Sequence, residues 1–243
     1  MKALYFNCFS GISGDMTLGA LLDLGIEEEL FINELKKLEL NGYHIAVKKQ
    51  HKKSIKGTDV DVIIEEVSET NCERNLYDIE KIIDASELTD WVKSASKDVF
   101  KEVARAEGKV HGKPIDQVHF HEVGAIDSII DIVGSVICLE LLDIKKIHVS
   151  KIHDGNGFIK CQHGIIPVPV PAVIEMLTGT NIPFVTEDVK TEMVTPTGMA
   201  LVKCLGTTFG KTPEMTIEKV GYGFGKRETG RLNALRVVMG EVL

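Results

Sequence analysis

The sequence predicts an α/β fold of the α+β kind: a mixed sheet with packed helices and an inserted helical segment. Three observations carry this expectation. Thr58 to Glu66 alternates in strand fashion through Val60, Val62 and Ile64. Val123 to Leu142 is apolar on most sides, as a central helix should be. Between and around them strand-like and helix-like runs interleave, with no internal repeat or low-complexity stretch.

Taken in order, Ala3 to Phe9 reads as a buried first strand. The turn Ser10 to Asp15 follows, then a helix from about Met16 to Leu24, ended by Gly25 as a left-handed cap. Ile26 to Leu40 reads as an amphipathic helix, and Tyr43 to Lys49 as a strand. Residues 1–70 thus form a β-α-α-β-β unit. Residues 71–117 form a helical segment: two helices, broken near Ala85 and Ser86, reach Glu107, and Gly108 to Gln117 is a loop. Residues 118–243 complete the core. Val118 to His121 is a short extended piece before the apolar helix, and Ile147 to Ile152 is a strand. Pro167, Pro169 and Pro171 force extended backbone before a helix at Ala172 to Leu177. Thr195 to Gly198 opens a helix over Met199 to Leu205, and strands near Met215–Gly221 and Asn233–Met239 follow.

A net charge of −8 without a long basic run argues against nucleic acid or an anionic membrane as partner. No run approaches the length of a membrane span, and the N-terminus runs straight into a motif. The five scattered cysteines form no CxxC pair, so neither a disulfide framework nor a four-thiolate zinc site is indicated. The chain is expected to be cytoplasmic, with reduced thiols.

Four constellations could carry chemistry. Ser10, Gly11, Ser13, Gly14 and Asp15 lie between a strand and a helix N-terminus, where backbone N–H groups can meet an anion. The plainer reading is a tight turn with Ser13 or Asp15 as N-cap. Thr195, Thr197 and Gly198 make a similar pair of possibilities. The second constellation runs from His119 to Asp131. His119 and His121 point to one side of an extended segment, about 7 Å apart at Cα. Glu122, Asp127 and Asp131 follow, and the two aspartates share a helix face. Imidazole and carboxylate suit a divalent transition ion. Asp127 could equally serve the helix dipole, and Asp131 a salt bridge. Third, His153, Cys161 and His163 flank a glycine turn. His153 and His163 could converge if their strands are neighbours, or be exposed loop histidines. Fourth, Gly221 to Arg227 reads as a flexible glycine run ending in two cations, able to fold over a phosphate or to stay solvated.

Five ordered motifs resemble the LarC family of nickel-pincer cofactor biosynthesis: MKALYFNCFSGISGDMTLGALLDLG, VHFHEVGAIDSIIDIVG, HGIIPVPVPAVIEML, EMVTPTGMALV and GYGFGKRE…LNALRV. The resemblance implies nickel insertion into pyridinium-3,5-bisthiocarboxylic acid mononucleotide, giving the pincer complex of lactate racemase-type enzymes, a lyase-class reaction. It implies consumption of CTP with Mn or Mg. That CTP site belongs to a C-terminal domain of the family, so the chain is similar to the N-terminal part, with that domain or a separate chain as partner. A homo-oligomer is also compatible.

Under that resemblance, His119 and His121 hold or relay Ni(II), with His153, His163 and Cys161 as further metal ligands. An acid among Glu122, Asp127 and Asp131 is the catalytic base for the ring proton. The Ser10–Asp15 turn and Thr195, Thr197 and Gly198 bind the mononucleotide. The alternative is a nickel carrier or scaffold without catalysis, which an exposed apolar surface near Val237 to Leu243 would favour. A small-molecule hydrolase is a third reading, for which no nucleophile-base pair is recognisable.

Overall fold

A computed structural model describes residues 2–65, 74–120, 126–162 and 164–243, with only the backbone of His119. The fold is a mixed α/β one. Its main sheet has seven strands in the order β11-β6-β1-β13-β12-β3-β2. These are β1 (Lys2–Asn7), β2 (Tyr43–Lys52), β3 (Ile55–Ile64), β6 (Lys146–Ser150), β11 (Thr208–Gly210), β12 (Met215–Phe224) and β13 (Ala234–Val242). The last strand, β13, lies in the middle, antiparallel to both β1 and β12. Parallel pairing joins β1 to β6 and β6 to β11. Strands from both ends of the sequence therefore share one sheet.

The first strand ends at Asn7 rather than Phe9. The Cys8 N–H donates to Ser150 Oγ at 2.9 Å, and the Cys8 carbonyl accepts from Gly11 N, which turns the chain out of the sheet. β2 and β3 form a hairpin closed by Lys53 and Ser54, both at positive φ (47° and 66°). That conformation matches the twist of the flanking strands.

Helix α1 (Gly14–Asp23) lies on β12, β3 and β13. Glycine makes this close contact possible. A Cβ at Gly223 would sit 1.9 Å from the Met16 carbonyl oxygen, and one at Gly221 2.3 Å from that of Ala20. Helix α2 (Glu28–Lys36) is shorter than its apolar pattern suggests. Lys37, Leu38 and Glu39 bond to carbonyls three residues back, and Glu39 turns to φ 53°. Helix α5 (Ile126–Leu141) is the central helix expected, with Ile129, Ile130, Ile132, Val133, Val136 and Ile137 in the core. It packs against α1 and α2 on one side and α4 on another.

The helical segment holds α3 (Leu76–Ala85), opened by an Asn75–Asp78 capping box, and α4 (Asp90–His111), opened by Thr89. α4 continues through part of the expected loop. Gly108 packs tightly against Lys113 and Val118, and Gly112 supplies the left-handed cap at φ 64°. His111 thus ends a helix and faces Glu107 at 3.2 Å. Among the described residues, three two-stranded sheets accompany the main one. β4 (Arg74–Asn75) pairs with β5 (His119–Phe120), β7 (Ile152–Asp154) with β10 (Phe184–Thr186), and β8 (Gly157–Cys161) with β9 (Gly164–Val168). The short β10 and β11 had no readable period. Helices α6 (Pro171–Leu177) and α7 (Pro196–Leu205) each start on a proline, at a position where no N–H is needed. No described helix is long and apolar enough to cross a membrane.

Near the C-terminal strand, Ile217 and Val220 of the adjoining β12 are exposed apolar residues. In the Val237–Leu243 run itself Val237, Val238 and Met239 are buried, and Leu243 alone of its large apolar residues is exposed.

Candidate functional site

Three of the sequence motifs meet at one cleft of about 340 Å³. Its floor is the start of α1, where Ser13, Gly14 and Asp15 leave the turn. One wall is α5, through Asp127 and Asp131. Another is the start of α7, through Thr195 and Thr197, and the rim carries Lys226 and Arg227.

The contact between Gly14 and Asp131 explains both residues. A Cβ on Gly14 would come within 2.5 Å of Asp131 Oδ2. Only a bare Cα lets the carboxylate lie there. Among the described residues no hydrogen bond or ion pair is made to Asp131, so the salt bridge weighed above is not there. Burial pushes the Asp131 carboxyl well above the ordinary carboxylate range. The charges of Asp15 and Asp127 add to the shift, and Lys226 opposes it.

Asp15 is the second carboxylate of the floor. Its Oδ1 accepts from the Ser13 hydroxyl and from Met16 N, the latter at 2.9 Å. Burial raises it too, but these two bonds and Lys226 pull it back. The pair is therefore uneven: Asp131 holds a proton more readily than Asp15. Ser13 itself makes no capping bond through its side chain. Asp15 instead takes up the Met16 N–H at the start of α1, the place where an anion was anticipated.

The opposite wall is held by main-chain bonds. Ile12 N donates to the Met193 carbonyl (3.0 Å), and Thr195 N to that of Ile12 (3.0 Å). Thr195 caps α7 by accepting from Gly198 N at 3.1 Å. A Cβ at Gly198 would meet the Ile12 carbonyl oxygen at 2.3 Å, so glycine sets the approach of α7 to the turn. Ser10 and Gly11 do not line the cleft. Ser10 is fully buried, and Gly11 lies at φ 80° against Met193.

Asp59, Asp61 and Glu192 were not singled out from the sequence, and Asp154 stood out there only as the neighbour of His153 beside the glycine turn. Asp154, fully buried, accepts from Gly155 N (2.7 Å), Met193 N (2.8 Å) and Val194 N (3.1 Å) through one oxygen. It anchors the strand-like segment that carries Glu192 and Thr195. Asp59 and Asp61 of β3 hold Lys226 Nζ at 2.6 and 2.7 Å. Glu192, buried, pairs with Arg227. The glycine run before these cations is strand β12, not a flexible loop, because Gly221 and Gly223 face α1. The lining holds five carboxylates (Asp15, Asp61, Asp127, Asp131 and Glu192) against two cations already paired. The cleft therefore favours a positively charged guest.

His153 and Cys161, the other metal candidates with described side chains, do not line this cleft. His153 sits on β7, which pairs with β10 rather than β8, so the expected convergence of its strand with that of His163 does not occur. Its Nδ1 meets Glu187 Oε1 at 2.6 Å instead. Cys161 ends β8 in a hairpin away from the cleft. The His119 backbone pairs with Asn75, while His121, Glu122 and His163 lie outside the described residues. Among the described residues no group of three His, Cys, Asp or Glu is arranged to hold an ion.

Comparison with known proteins gives one consistent result. A family model described as "Nickel insertion protein" matches residues 4–242. A protein of Acetivibrio thermocellus described as "Pyridinium-3,5-bisthiocarboxylic acid mononucleotide nickel insertion protein" is 61% identical over 246 residues, covering 99% of this chain and 60% of that protein. Proteins of the same description are 48% identical in Lactiplantibacillus plantarum and 47% in Clostridium kluyveri, each over 99% of this chain and 62% of the relative. The chain thus spans about three fifths of the length of these relatives. No solved structure matches it.

Proposed function

The chain belongs to the nickel insertion protein family, and from that premise we propose that its cleft carries out nickel insertion into pyridinium-3,5-bisthiocarboxylic acid mononucleotide. The observation that carries the reading is the uneven Asp15–Asp131 pair in an acidic cleft. Both guests are cationic where they react: the pyridinium ring and Ni(II). The carboxylates of the cleft would draw them in, and Thr195, Thr197 and the N-terminus of α7 are suited to the phosphate.

In the proposed step the ring C–H bond breaks and nickel takes its electron pair to form the nickel–carbon bond. The proton goes to the carboxylate pair. Asp131 is the member that holds its proton to higher pH, and arrival of a cation favours its loss. The pair then stands ionised beside the ring, ready to accept. Asp127, at the mouth, would pass that proton to solvent.

His119 and His121 remain the proposed nickel ligands. His121 lies five residues before Ile126, so at most ~17 Å of chain separates it from the start of α5. His153, His163 and Cys161 stay secondary, as a relay for the incoming ion. CTP with Mn or Mg would be supplied by a C-terminal CTP-binding domain or chain. Nothing in this cleft resembles a Walker-type phosphate loop, so no step is routed through the nucleotide here. In this proposal the chain is one α/β unit with the 71–117 helical insertion, acting in the cytoplasm with that partner.

The test is reconstitution with a CTP-binding C-terminal piece, mononucleotide, CTP and Ni(II), followed through pincer absorbance. Asp131→Asn should lower the rate by roughly 10²–10⁴, the usual range for a lost general base. A rate within threefold of wild type removes the pair from the mechanism. Equilibrium dialysis tests the histidines: His119→Ala/His121→Ala with unchanged nickel stoichiometry and affinity would exclude them.

A further inference from the structure

The far face of the main sheet holds a second concavity, and its chemistry is opposite to that of the cleft. Along β1, Leu4 and Phe6 enter the helix-covered core, so Tyr5 and Asn7 point the other way. Register extends this alternation across three strands. Asn7, Arg236 and Tyr222 form one row, and Tyr5, Val238 and Val220 the next. Together with Ile217 and the Thr212–Pro213 segment they line a cavity of about 350 Å³.

Arg236 decides what this cavity can hold. Among the described residues its guanidinium forms no hydrogen bond or ion pair, and its Nε is buried without a partner. Its nearest support is the face of Phe9, 6.0 Å away at the ring centroid. A half-buried cation left like this is costly unless something outside the chain satisfies it. No acidic residue lines the cavity, in a chain of net charge −8. Asn7, Tyr5 and Tyr222 add polar side chains for which no hydrogen bond is made among the described residues. The other wall is apolar, with Val220 and Ile217 exposed at 41% and 65%. A volume near the lower end of small-molecule sites fits a ligand of about ten heavy atoms.

We propose that this cavity binds a small planar carboxylate carrying a flat apolar body. The carboxylate meets Arg236, the amide and phenols complete its bonds, and the body lies on Val220, Val238 and Ile217. Arginine matches a planar carboxylate with two parallel N–H bonds, which a spherical anion cannot use as well. The site lies across the sheet from α1, so its occupancy is separate from that of the cleft.

Benzoate is the probe. In a two-dimensional NMR titration of the whole chain, it should give saturable shifts at the amides of Asn7, Tyr222 and Arg236, with Kd on the order of 1 mM. Gly14 and Thr197, at the cleft, should not move. Benzamide, flat but neutral, should bind at least ~10-fold more weakly. Arg236→Met should weaken benzoate by a similar factor. Should that variant fold poorly, Ile217→Asp replaces an exposed side chain and sets a like charge beside the carboxylate, with ~10-fold loss expected again. Absence of saturation, equal binding of benzamide, unchanged affinity in a folded variant, or shifts confined to the cleft would each overturn the proposal.

Discussion

Asp131 is raised by burial first and by Asp15 and Asp127 next, and this should be visible in stability as well as in rate. A raised carboxyl pKa means that the folded state binds the proton more tightly than the unfolded chain. The contribution is full below the unfolded value of ~3.9 and is lost as pH rises through the folded value. Asp131→Asn removes that loss. The variant should therefore gain on wild type as pH rises above about 4, at roughly 2–4 °C in Tm per kcal/mol for a chain of this size. Thermal melts across that rise in pH check it, and a difference independent of pH would argue that Asp131 is not the proton holder. Gly14→Ala should do the reverse, forcing Asp131 aside at a cost of about 1–3 kcal/mol, with loss of the proposed insertion activity. The oddity of Asp131 was legible, since a carboxylate two turns into an apolar helix needs a reason. Its partner was not. Asp15 read as an N-cap or part of an anion cradle, because linear sequence does not state that the Gly14 turn and α5 set two carboxylates from distant elements in one cleft.

At the level of elements, the cleft depends on how α7 and the 192–195 segment are held. Asp154→Ala would leave three buried N–H groups without an acceptor, and a loss of about 3 kcal/mol is expected. Asp154→Asn keeps an acceptor oxygen at the same place and should cost less than half as much. Chemical denaturation of both variants tests this, and equal losses would show that the backbone bonds are not what Asp154 supplies. Ser54→Gly addresses a different element. Ser54 closes the β2–β3 hairpin at φ 66°, so glycine should add about 1 kcal/mol, measured the same way. Long elements with a clear period, such as α5, α1 and β12, were readable. The glycines of β12 were misread as loop formers. They sit where α1 approaches the strand, and spacing alone does not separate that use of glycine from flexibility. Asp59 and Asp61 were missed for a related reason: on an alternating strand they look like ordinary solvent-facing positions, and only the fold brings Lys226 to them.

For the molecule as a whole, the fold class followed from period and order, while strand order did not. Nothing local in Ala234–Val242 announces that it belongs between β1 and β12. Removing residues 234–243 should accordingly abolish the near-ultraviolet circular dichroism of the protein rather than trim an edge, and a native-like spectrum in that truncation would contradict the sheet order. The central place of β13 also has a consequence in time. β1 leaves the ribosome well before its antiparallel neighbour, which follows some 230 residues later, a delay on the order of 10–50 s at ~5–20 residues per second. Throughout that interval Leu4 and Phe6 lack the strand beside them, and α1 has no β12 to lie on. A nascent chain in this state presents an unpaired strand and an apolar helix face to its surroundings. Synthesis at high rate or high temperature should thus depend on chaperones that shield such surfaces, even though the finished sheet leaves neither open.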